Sequence, residues 1–101
     1  MEQAISTYSV FRDVLASLGA KYKNLVVLSM DSGSLSPAGR FRKLFPARHF
    51  HVGNAVSQVM SLAAGMAVSG KIPIVCSNAL FSCGDFFHHI RASVCIPNLN
   101  I

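Results

Sequence analysis

Apolar side chains recur at two different spacings along this 101-residue chain, and the changes between them mark its elements. Tyr8, Phe11, Val14, Leu15 and Leu18 return every three or four residues, which predicts a helix with one apolar face, capped by Ser6 or Thr7 and ended by Gly19. Residues 24–30, NLVVLSM, are too short and too evenly apolar for a helix and predict a strand buried on both faces. The Gly/Ser-rich run 31–39 reads as a loop, with Ser36-Pro37 fitting a cap and first helical residue. A second helix then reaches Phe45 before Pro46, with Phe41, Leu44 and Phe45 on one face and the charges elsewhere.

The stretch His49 to Ile74 is the unit around which the rest is arranged, with the first strand expected beside it. It predicts a short strand at 49–52, a turn at Gly53-Asn54, a helix of small side chains over 54–69, a stop at Gly70, and a third strand at 72–77. A last helix carries Phe86, Phe87, Ile90 and Val94, and PNLNI at 97–101 reads as the start of another strand. Strands alternating with helices imply an α/β fold: an open, mostly parallel sheet with helices on both faces, in a single domain over residues 1–101. Strand order is not set by the pattern. The chain is short for such a fold, which points to an incomplete domain or to apolar surface that a partner covers.

Composition narrows the classes. With 51% hydrophobic and 13% charged residues, the chain suits a packed core and not a disordered segment. The net charge of +5 is concentrated at Arg40, Arg42, Lys43 and Arg48, which could draw a polyanion; no nucleic-acid-binding motif accompanies them, so a solvated helix side is the favoured reading. Three cysteines without a CxxC pair suit reduced thiols in the cytoplasm. No basic-then-apolar leader and no apolar run near twenty residues occurs, so neither a signal peptide nor a membrane span is expected.

Candidate chemistry is sparse. The Gly53-Asn54 turn lets the backbone pass close to another group and could present the unpaired amides of a helix start; the alternative is a plain strand-to-helix corner. Asp31 stands at the end of the first strand, where ligands collect in open α/β sheets, or opens an Asx turn. Residues 65–71 copy the glycine spacing of a phosphate-binding loop, but they span a helix end and Ile72 stands where Ser or Thr is needed. Cys83, His88 and His89 lack a fourth ligand, and adjacent helical histidines point about a hundred degrees apart, so no metal site is expected. The acids are only Glu2, Asp13, Asp31 and Asp85, and no G-x-S-x-G turn occurs. Most two-carboxylate chemistry within this chain is thereby excluded.

From Val10 onward the chain resembles the pyrimidine-binding domain of transketolase, above all the C-terminal section found where the enzyme is split between two chains. The stretches that carry the likeness are NLVVLSMDSGS, the FP-R-F residues Phe45, Pro46, Arg48 and Phe50, then VGNA, LAAGMAVSGKIP, the ALF ending at Phe81, and IRASVCIPNLNI. The resemblance implies a thiamine-diphosphate enzyme of pentose phosphate metabolism that works as an oligomer. This domain would hold the aminopyrimidine, and a diphosphate-binding partner with a Gly-Asp-Gly motif would hold magnesium. By the same likeness, Phe81 matches the aromatic that stacks on the pyrimidine, Asp31 an acid near that pocket, and His51 a position of substrate contact. Phe87 replaces a Tyr common in split-chain members.

One departure matters most. The family run Val-Gly-x-Ala-Glu-Gln supplies a glutamate that bonds the pyrimidine and starts cofactor activation; here the run is Val52-Gly53-Asn54-Ala55-Val56-Ser57. Val56 can neither give nor take a proton, and Glu2 is too distant to stand in, so no catalytic residue is assigned in this chain. Three readings follow. The first is an impaired subunit for ketol transfer between sugar phosphates, and the second an inactive homologue kept as a structural or regulatory partner. The third is an unrelated module that binds polyanions through residues 40–48.

Overall fold

The first helix starts where its residue types predict. In the computed structural model, which describes residues 5–30, 38–53, 56–77, 84 and 86–101 without the side chains of 56, 57 and 86, α1 spans Thr7–Lys21 with Ser6 as its cap. Ser6 Oγ accepts the Ser9 amide at 3.1 Å, and Ser9 Oγ donates to the Ser6 carbonyl at 2.9 Å. The helix does not stop at Gly19. It runs two residues further, because Gly19 serves packing: a Cβ there would lie 2.5 Å from a ring carbon of Phe41. Tyr22 ends the helix instead, its amide donating to the Leu18 carbonyl at 2.8 Å.

β1, Leu25–Ser29, is buried at every position, as a continuous apolar run requires. α2, Gly39–Leu44, is shorter than its pattern suggested, since Pro46–Arg48 closes into a 3-10 turn. That change of path leaves Leu44 54% exposed while Phe41 is fully buried, so Leu44 does not share the buried face. The Ser36-Pro37 cap lies outside the described residues. β2, His49–His51, leads through Gly53, at φ +62°, toward α3, Val56–Val68. Gly70, at φ +95°, turns the chain into β3, Ile72–Cys76. The Asn24 side-chain amide donates to the Gly70 carbonyl at 3.1 Å and ties that turn to the start of β1.

The sheet is parallel in the order β2-β1-β3. β1 therefore lies between the two strands of the 49–74 unit and not at one side of it, which accounts for its complete burial. Pro73 is tolerated because β3 is an edge strand among the described residues. The period of two along β1 separates two cores. Leu25 and Val27 face α1 and α2 and cluster with Leu15 and Phe41. Leu28 and Met30 face α3 and cluster with Val59, Met60 and Ala63. The fold is α/β, an open parallel sheet with helices on both faces.

α4, Phe86–Ile90, passes into a π-helical turn, Arg91–Cys95, and lays Ile90 and Val94 against the α3 core. Residues 97–101 do not form the expected strand. The Leu99 amide returns to the Val94 carbonyl at 3.0 Å and Asn98 takes φ +58°, so the backbone is used in a turn. No helix among the described residues is long and apolar enough to cross a membrane.

Candidate functional site

Parallel register brings three strand ends to one edge. Ser29 stands opposite His51 on one side and Cys76 on the other, and the ladder extends by Val52 N–H to Ser29 C=O at 3.0 Å and Met30 N–H to Cys76 C=O at 3.2 Å. The segments holding Asp31, Val56 and Phe81 each follow one of these three carboxyl ends, the edge where open α/β sheets bind ligands. Asp31, Phe81, Asn54, Cys83 and the Val56 side chain lie outside the description. The Val56 backbone opens α3, whose first turn carries no acidic residue. His51 is exposed at the end of β2, on the face toward α1 and α2. Phe87 is 69% exposed and makes no core contact of the kind its place in the pattern predicted.

A polar pair that the sequence pattern did not signal sits behind this edge. Ser29, 1% exposed, lies with its Oγ 3.1 Å from His49 Nε2. The pairing depends on register: His49 is two residues before the partner of Ser29 and shares its face. So deep a hydroxyl is out of substrate reach, and the bond satisfies a buried polar atom without creating a nucleophile. Burial, then Arg42, then His51 hold the His49 pKa below its ordinary 6.5.

The sign of the effect on stability follows. Above 6.5 His49 is neutral in folded and unfolded chains alike; as pH falls below it, the unfolded chain takes up a proton that the folded chain resists. Stability should therefore decline as pH drops from 6.5 through the folded-state pKa. Urea midpoints at pH 7.5 and 5.5 are expected to differ less in His49→Gln than in the parent chain, and an equal difference in both would contradict this assignment.

The basic run 40–48 is partly committed to internal contacts. Arg48 donates to the carbonyls of Gly19 at 2.7 Å, Tyr22 at 2.9 Å and Leu25 at 3.3 Å, closing the C-terminus of α1. Its guanidinium also lies 4.1 Å from the Phe45 ring centroid. Arg40 meets Asp13 at 2.6 Å in an exposed pair that contributes little to stability. A polyanion surface loses two of its four cations in this way. Among the described residues, no three His, Cys, Asp or Glu side chains gather as metal ligands. The phosphate-loop spacing at 65–71 falls across the end of α3, where no loop of that kind forms.

No family model matches the chain. A putative transketolase C-terminal section from Methanocaldococcus jannaschii is 38% identical over 91 residues, covering 90% of this chain and 29% of that protein. A 1-deoxy-D-xylulose-5-phosphate synthase from Corynebacterium glutamicum is 36% identical over 73 residues, 72% of this chain and 12% of that one. A solved split gene transketolase, an inactive beta4 tetramer, superposes with a TM-score of 0.87 at 37% identity, covering 97% of this chain and 33% of that one. The chain thus spans less than a third of the length of each of these proteins.

Proposed function

Because the chain belongs to the transketolase family, as part of its C-terminal section, we propose that it forms the pyrimidine-holding half of a thiamine-diphosphate site. A diphosphate-binding partner chain completes the site and holds the magnesium. The observation that carries this reading is the register at the sheet edge, where the segments bearing Asp31, Val56 and Phe81 leave neighbouring strands at one level. The residue types fit the cofactor in part: an aromatic suits the face of a flat ring and one carboxylate its polar rim, whereas a valine at position 56 offers that rim no hydrogen bond. They do not fit proton transfer, since the first turn of α3 has no acid.

When bound, thiamine diphosphate supplies the ketol-transfer chemistry. The part of this chain would be to position it and exclude water: Phe81 would be the stacking residue, Asp31 the polar residue at the edge of the ring, Val56 would stand where the family has glutamate, and His51, exposed at the end of β2, would be the substrate contact. With Val56 in place, ketol transfer between sugar phosphates is slow or lost. That substitution also favours the second reading, an inactive homologue retained as a structural or regulatory partner in an oligomer.

The test is a titration of thiamine diphosphate with magnesium into this chain co-expressed with the diphosphate-binding half of a transketolase. Saturable binding that weakens roughly tenfold or more in Phe81→Ala is expected, since stacking on an aromatic ring contributes about 1–3 kcal/mol per base. A folded, associated pair that binds no cofactor would exclude the site.

A further inference from the structure

Basic groups gather at β2 without a matching set of acids. His49 and His51 alternate along the strand, so both belong to the face toward α1 and α2, about 6–7 Å apart. Arg42 of α2 acts on the same place: after burial, its charge and then that of His51 oppose the proton on His49. Arg42 and His51 are exposed and His49 is partly so. Ser29 Oγ holds the His49 ring from one side, 3.1 Å from Nε2, and leaves Nδ1 facing the other way. Asp13 is the one acid among the described residues, and it is taken by Arg12 at 3.3 Å and Arg40 at 2.6 Å. Asp31, outside the described residues, brings a single negative charge near the end of β1 against three basic groups.

We propose that Arg42, His49 and His51 form a binding site for a phosphate group, free or as a phosphomonoester. An arginine presents a planar fork of N–H donors that matches two phosphate oxygens, and each imidazole adds a donor from the strand. Nucleic acid fits less well. Arg48 is spent on three carbonyls and Arg40 on Asp13, so Arg42 and Lys43 alone remain of the basic run, too few to follow a phosphate backbone. A bound phosphate gives the charged imidazole of His49 the partner that it lacks, and so reverses the balance that now keeps this ring neutral. The site lies within this chain and needs neither a partner nor thiamine diphosphate; its failure would leave the cofactor reading untouched.

Proton NMR of the histidine rings in the full chain tests the site, with inorganic phosphate exchanged for chloride at constant ionic strength and pH 6.5. The His49 and His51 signals are expected to move saturably, and the pH at which His49 titrates to rise. His88 and His89, on α4 across the sheet, are expected to stay still. Arg42→Ala and His51→Gln, both changes of exposed residues, are expected to keep the parent melting temperature and to weaken binding about tenfold or more. Tighter binding of glycerol phosphate than of inorganic phosphate would support the site with an organic phosphate as its ligand, and equal affinity would support it with the free ion. Equal movement of all four histidines, or unchanged affinity in both variants, would overturn the proposal. So would saturable binding of a DNA oligonucleotide by a chain that does not respond to phosphate.

Discussion

Phe41→Ala should lower the folding free energy by about 3–5 kcal/mol, read as a shift of the urea midpoint at unchanged slope. Phe41 is fully buried in the core shared with Leu15, Leu25 and Val27. Its ring lies beside Gly19 so closely that a methyl group there would overlap it, and it meets the Phe45 ring at 5.1 Å between centroids. Gly19 has no side chain that could move into the space left behind, and the Phe45 ring is held from above by Arg48. The cavity would therefore persist, and a cavity that cannot collapse takes the upper part of the range. A domain of this size has about 5–15 kcal/mol in total, so the variant should lose a large share of its stability and melt well below the parent chain. A loss under about 1 kcal/mol would mean that α1 and α2 are not joined through this ring.

The elements of the fold were legible where composition alone decides them. Residues 24–30 and 72–77 could hardly be anything but buried strands, and Ser6 and Gly70 mark helix ends by chemistry that acts locally. What depended on distant partners was not legible. Gly19 looks like a stop in sequence and is a contact surface in space, because the reason for it is Phe41, twenty-two residues on. Arg48 reads as part of a solvated basic run, yet its three carbonyl acceptors lie twenty-three to twenty-nine residues away. The Ser29–His49 bond needs strand register, which no local spacing reveals. The strand read into PNLNI failed because its apolar alternation is outweighed by amide bonds back into the preceding π turn.

The candidate site divides in the same way. Its topology could be anticipated, since strands followed by Asp31, Val56 and Phe81 must end on one edge if the sheet is parallel. That position 56 is a valine, with no acid in the first turn of α3, is read from the sequence directly, because a single residue type decides whether a proton can be held there.

We propose that Val56 is the one missing part of an otherwise competent half-site, and a Val56→Glu exchange measures that directly. A glutamate at the first turn of α3 is tolerated there, since a helix start favours negative charge. It supplies the proton donor and acceptor that the position lacks, and a positioned acid–base group contributes roughly a hundred- to ten-thousandfold to rate. With the diphosphate-binding half, magnesium and thiamine diphosphate present, ketol transfer from a sugar phosphate donor is predicted to rise by about a hundredfold or more over the parent pair. No rise, in a variant pair shown to be folded, associated and loaded with cofactor, would contradict the account and assign the chain to a role other than catalysis.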